Sequence, residues 1–236
     1  MSALGLPRVH HRVLDSTNER AKTLARAGAP HGTVVTADEQ SAGRGRQGRA
    51  WVAPPGTALL MSLILRGLED RRALLPLTAA VAVCEAAEAS ANVACAIKWP
   101  NDVWVQGRKL AGILIEARPH ERLAVIGVGL NVATRSQDFP ARLRSFATSL
   151  AIESRDGAPP RDAVLLALLR SVESALGQER EQILERWAAR DALRGSRISW
   201  DDGEGTAAGI DSTGALRVET DGGLVSLDAG EVHLRR

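Results

Sequence analysis

Blocks of apolar and polar positions follow one another along this chain, and the period of each block predicts an element. Val9–Leu14 reads as a strand. Ser16-Thr17-Asn18-Glu19 then has the signature of a capping box, with Ser16 as N-cap and Glu19 at the third helical position. The helix it opens runs through Ala21, Leu24 and Ala25 and stops near Gly28, with Pro30 beyond. On that reading Lys22 lies on the exposed helix face. Thr33–Ala37, rich in β-branched residues, predicts a second strand, and the continuous apolar run Thr57–Leu65 predicts a central one. Ala73–Ser90 predicts a buried helix. Val93–Lys98 and Val103–Val105 predict short strands flanking Trp99-Pro100-Asn101-Asp102, and Gln106-Gly107 predicts a turn. Leu110–Ala117 and Leu123–Gly129 predict a hairpin joined around Pro119.

Helical spacing returns at Val164, Leu165, Leu168, Leu169, Val172 and Leu176, and a further helix is expected over Gln178–Ala189. Beyond about Leu193 the period shortens. Ile198–Trp200, Thr206–Ile210, Leu216–Glu219 and Leu224–Leu227 read as strands, separated by Asp202-Gly203, Ser212-Thr213-Gly214 and Asp221-Gly222-Gly223. Val232–Leu234 adds another. Two units are expected: residues 1–192, mixing helices and strands, and residues 193–236, all β and small enough to lean on the first.

The chain has 236 residues and a formal net charge of +2, too small to mark a nucleic-acid protein. Cys84 and Cys95 sit among apolar residues with no CxxC spacing and read as buried free thiols, which points to a reducing compartment and a cytoplasmic protein. Met1 to Val9 lacks a signal-peptide core, and Leu74–Ala91, the most apolar stretch, is interrupted by Glu85 and Glu88, so no membrane association is expected. Basic residues are overwhelmingly arginine, the only lysines being Lys22, Lys98 and Lys109. A lysine kept in such a background suggests a site that wants a compact ammonium.

Chemistry concentrates in Gly43-Arg44-Gly45-Arg46-Gln47-Gly48-Arg49-Ala50-Trp51. Glycine lets backbone approach a ligand, arginine offers a fork of donors to carboxylate or phosphate, and tryptophan offers a flat face to a ring. Taken alone, the loop suits either an anionic ligand bearing an aromatic ring, such as an adenine nucleotide, or non-specific RNA.

Joined in order with Asp15-Ser16-Thr17-Asn18, Gln40, Lys98-Trp99-Pro100-Asn101-Asp102, the run from Lys109-Leu110-Ala111-Gly112 to Glu116, Gly127-Val128-Gly129-Leu130-Asn131-Val132 and the closing Gly230-Glu231-Val232-His233-Leu234-Arg235, the loop resembles the biotin–protein ligases from about Val13 to Arg235. The resemblance implies an α/β (α+β) fold: a mixed, largely antiparallel sheet with packed helices, class II synthetase-like, and a small C-terminal SH3-like β-barrel. It implies activation of biotin by ATP with Mg²⁺ to biotinyl-5′-AMP, then transfer to a lysine of a biotin carboxyl carrier domain of acetyl-CoA carboxylase or a related carboxylase. It assigns biotin to Ser16, Thr17, Asn18, Gln40, Gly43, Arg44, Gly45, Arg46, Lys109 and Gly112. The nucleotide falls to Arg44, Arg46, Arg49, Trp51, Lys98, Asn101, Lys109 and Asn131, with Lys109 and Arg46 as the catalytic cations. Asp102 has several roles open to it: holding Mg²⁺, helping to deprotonate an incoming amine, or pinning an arginine. Trp99 reads as core, and Glu116 as a structural pairing residue.

Gln47 stands where the family often has another arginine. Only about a dozen residues precede Asp15, so no helix-turn-helix fits and no DNA binding is expected. A homodimer remains open. The rival readings are a lipoate or octanoate transferase of similar architecture and an RNA- or nucleotide-binding module without catalysis. A P-loop ATPase is set aside because no GxxxxGK[ST] run occurs.

Overall fold

The computed structural model describes residues 4–68, 73–118, 120 and 122–235. Pro119, expected at the hairpin connection, lies outside the described residues.

A seven-stranded sheet is built from β1 (Arg8–Leu14), β2 (Val34–Gln40), β3 (Ala58–Arg66), β4 (Ala96–Lys98), β5 (Asp102–Val105), β6 (Arg108–Arg118) and β7 (Leu123–Asn131), in the order β1-β2-β3-β7-β6-β5-β4. Only β1 and β2 run parallel. A parallel pair needs a crossover, which α1 (Thr17–Arg26) supplies by packing Ala21 and Ala25 on Val35, Ile64, Leu123 and Val125. The opposite face is covered by α2 (Leu75–Ser90) and α4 (Arg161–Leu176), whose apolar residues join Leu63, Leu65 and Ile126 in the main core. With both faces covered, β3 is apolar almost throughout. A single turn, α3 (Leu150–Glu153), precedes α4, and α5 (Arg180–Ala188) follows it.

The second sheet contains β8 (Arg197–Trp200), β9 (Gly203–Ile210), β10 (Leu216–Thr220), β11 (Gly223–Leu227) and β12 (His233–Leu234), antiparallel in the order β11-β10-β9-β8-β12. It is bound to the first. Trp99, 2% exposed, donates its indole N–H to the Gly214 carbonyl at 3.0 Å, and Arg180 at the start of α5 donates to the Ser212 carbonyl at 2.8 Å. No helix among the described residues is long and apolar enough to cross a membrane.

Two expectations are corrected. Ser16 is the N-cap residue of α1, but its side chain makes no capping bond, and the Glu19 carboxylate that would complete the box accepts from Lys22 and Arg44 instead. Lys22 is not on an exposed face. It is 8% exposed, with its ammonium 2.5 Å from Glu116 Oε1 and 2.9 Å from Glu19 Oε1. Burial works against that charge, but its hydrogen bonds to Glu116 and Glu19 outweigh it and raise the lysine above its usual range.

Candidate active site

The sheet face that carries α1 also carries a cavity of about 710 Å³, a size suited to a small molecule together with a nucleotide. Its base is a patch of bare backbone. Gly112 and Gly129 are cross-strand partners on β6 and β7, and the Trp51 indole rests on both. A Cβ on Gly112 would stand 3.0 Å from the ring, and one on Gly129 would lie inside contact distance of it. Two residues earlier on the same face, Gly127 leaves room for the Asn18 amide in the same way. The Trp51 indole N–H is buried with no protein partner among the described residues.

Gly43–Trp51 folds back on itself as a flap. The Trp51 amide bonds the Gly43 carbonyl at 2.9 Å, and the Gly45 amide bonds that of Arg49 at 2.6 Å. Its tip turns at Gln47 and Gly48, whose φ values are 55° and 73°. Gln47, standing where the family often has arginine, accepts from Arg49 at 2.9 Å. Two anchors hold the flap: Arg44 meets Glu19 at 2.8 Å, and Arg49 grips both oxygens of Glu231 in the C-terminal unit. The Arg46 side chain is left without a hydrogen bond or ion pair among the described residues. Burial lowers its pKa, opposed by the neighbouring Asp102.

Lys109 enters β6 just past the Gln106-Gly107 turn, where both φ values are positive as a two-residue hairpin demands. Its ammonium lies 2.7 Å from Asp102 Oδ1, too bent for an aligned hydrogen bond, and 5.7 Å from the centre of the Trp51 ring. Asp102 therefore faces a lysine and makes no ion pair with an arginine among the described residues. Lys98 sits 5.5 Å from the Trp104 ring centre, and burial lowers its pKa. Asn101 and Asn131 line the cavity with their amide N–H groups committed to the carbonyls of Ile113 and Thr148, each at 2.9 Å. Among the described residues no three His, Cys, Asp or Glu side chains gather as a metal site.

At the other end the floor is polar. Gln40 Oε1 accepts from the Thr17 amide at 2.7 Å and from the Thr17 hydroxyl at 3.0 Å. Ser62, wholly buried, lies 2.8 Å from the Thr17 hydroxyl and 2.5 Å from Asn18 Oδ1. Ser16 lines the same end, and Arg44, Gly45 and Arg49 line the mouth. Gly43, expected at the biotin site, is buried against the Trp51 carbonyl and the Gln40 side chain and does not line the cavity.

Several contributors were missed in the sequence. Ser62 is the one hydroxyl in the apolar strand β3, which was its signal. Phe139, Leu143 and Phe146 form an apolar wall beside Lys109, whose amide bonds the Phe146 carbonyl at 2.7 Å. Their segment is irregular and has no period to read. Glu231 was noted only as part of a closing strand.

Residues 10–132 match the Biotin/lipoate A/B protein ligase family, and residues 201–235 match the Biotin protein ligase C terminal domain. The chain is 36% identical to the bifunctional ligase/repressor BirA of Bacillus subtilis (strain 168), over 98% of this chain and 75% of that protein. It is also 36% identical to the biotin--[acetyl-CoA-carboxylase] ligase of Mycobacterium tuberculosis, over 93% of this chain and 86% of that one. Its fold superposes on the biotin protein ligase from Aquifex aeolicus in complex with biotin and ATP, with a TM-score of 0.84 at 28% identity, covering 97% of this chain and 98% of that chain.

Proposed function

The chain belongs to the biotin/lipoate A/B protein ligase family and is a biotin protein ligase, and from that premise we propose how its cavity divides the work. The polar end holds the cyclic urea of biotin, with Thr17 offering oxygen lone pairs and Gln40 turning its amide nitrogen inward. The Trp51 end holds the nucleotide, with the indole as the face for adenine, Phe146 and Leu143 as an apolar wall, and Asn101 and Asn131 as polar side contacts.

Lys109 stands between the two ends, and its position is the observation that carries the reading. In the first step a biotin carboxylate oxygen attacks the α-phosphorus of ATP, and pyrophosphate leaves. The approach of two anions is made possible by the fixed charges of Lys109, Arg46 and Lys98. Asp102 fits the modest protein share of a Mg²⁺ site, since that ion usually takes one or two carboxylates and the phosphates of its nucleotide; bound there, it would neutralise charge on the leaving pyrophosphate. In the second step a neutral lysine amine attacks the biotinyl carbonyl carbon, AMP leaves, and Asp102 takes the amine proton. The acceptor is the biotin carboxyl carrier domain of acetyl-CoA carboxylase, the enzyme named for the Mycobacterium tuberculosis relative.

Purified protein given biotin, ATP and magnesium is expected to form biotinyl-5′-AMP and to label a carrier domain, with lipoate a poor substitute. Equal use of lipoate would overturn the assignment of the polar end.

Arg46 has a second task. A mixed anhydride hydrolyses or acylates stray amines if it escapes, so the flap must retain it. Arg46→Gly is expected to speed release of the adenylate by about 10²-fold, the worth of about two charge-assisted hydrogen bonds. Bystander proteins in the same tube would then acquire biotin on exposed lysines. Unchanged restriction to the carrier domain would count against the flap as a seal.

A further inference from the structure

We propose that the Lys22–Glu116 ion pair, which borders the cavity without lining it, sets the direction of the hydrogen bonds in its polar floor and so makes Thr17 an acceptor for a ureido N–H. This inference rests on the assignment of biotin to that end.

Glu116 lies on β6, turned toward α1. Its Oε1 takes the Lys22 ammonium at 2.5 Å, and its Oε2 takes the Asn18 amide N–H at 2.8 Å. Burial would raise this carboxyl, but the hydrogen bonds from Lys22 and Asn18 win and hold it below the usual range. It is thus an anion that can only accept.

The consequences propagate one proton at a time. Asn18 must turn its nitrogen to Glu116, with the Leu114 carbonyl 3.4 Å away, so its oxygen faces Ser62. Ser62 has one proton, and the Asn18 oxygen at 2.5 Å receives it. Ser62 therefore cannot donate across the 2.8 Å gap to the Thr17 oxygen. The Thr17 proton goes to Ser62 or to Gln40, and either way its lone pairs are left for the ligand. The Thr17 backbone N–H, which cannot reverse, fixes the Gln40 oxygen and so turns the Gln40 amide nitrogen away from Thr17. A urea, with N–H donors beside a carbonyl acceptor, complements that floor. A glutamine at 116 would be free to donate instead. Asn18 could then flip, Ser62 would donate to Thr17, and one of the two lone pairs offered to the ligand would be taken.

Glu116 is accordingly a positioning residue. Glu116→Gln is expected to raise KM for biotin about tenfold while kcat at saturating biotin and KM for ATP stay within about twofold, as for loss of one buried hydrogen bond in the ground state. Glu116→Asp, which remains an obligate acceptor, is expected to recover much of the loss. In biotin labelled with ¹⁵N at the ureido nitrogens, the bound wild-type complex should show one N–H proton shifted downfield, and Glu116→Gln should move that resonance back toward its position in free biotin. A floor that was merely loosened would broaden the signal without that return. If wild-type protein fails to bind biotin, the functional reading falls. If it binds and the Glu116→Gln complex keeps both its KM and its resonance, only the present inference falls.

Discussion

Lys109→Ala is expected to abolish adenylate formation in a protein that still folds. The ammonium sits on the cavity wall at the start of a strand whose pairing with β5 and β7 uses backbone alone, so its loss costs the sheet little. Its loss costs the reaction a great deal. A unit charge 4 Å from an anion at an effective dielectric of about 20 is worth about 4 kcal/mol, or about 10³-fold in rate. Two anions converge on this one ammonium, so the full effect falls on the first step. Biotin-dependent exchange of pyrophosphate into ATP, read beside a thermal melt, is the measurement. Exchange within tenfold of wild type by a normally melting protein would remove Lys109 from the chemistry. Lys109→Arg should not rescue, because a planar fork cannot take the place of a point charge in the space above Gly112, where a new carbon would already be 3.3 Å from the lysine nitrogen.

Gly129→Ala should act on the other substrate. The added methyl group would intrude on the indole of Trp51, and the strand cannot retreat because Gly129 is paired on both sides, with Leu60 and Gly112. The ring must lift instead. Overpacking of this kind costs about 1–3 kcal/mol, so KM for ATP should rise by about 5- to 150-fold. KM for biotin should move much less, since Thr17 and Gln40 lie at the far end. Tryptophan emission would report the displaced ring. Combining Gly129→Ala with Trp51→Ala tests the cause: once the ring is gone the methyl group should do no further harm, and simple additivity would refute the clash.

Much of this is legible in the sequence. Periodicity placed the main strands and helices, since β3 is apolar wherever it is covered and α4 repeats its apolar residues each turn. The lysine scarcity pointed at Lys98 and Lys109. What stayed hidden depended on register. Gly112 and Gly129 are distant in sequence, and only the pairing of β6 with β7 makes them one seat for one ring. Lys22 was misplaced for a related reason: its polar character sent it outward, and its partner Glu116 lies on a strand far along the chain. Ser16 and Glu19 have the spacing of a capping box, yet the Glu19 carboxylate is taken by Lys22 and Arg44 and does not reach back to the cap. The hydrogen-bond polarity of Asn18 and Ser62 is a property of the folded network and has no counterpart in any window of sequence.

The way this chain keeps its lysines has a further result. Lys22 is clasped by two carboxylates, Lys109 lies against Asp102, and Lys98 is half-buried beside an indole. The remaining cationic surface is arginine, whose guanidinium does not take up acyl groups under such conditions. An acylating agent that left this cavity would therefore meet few lysine amines on the surface of its maker.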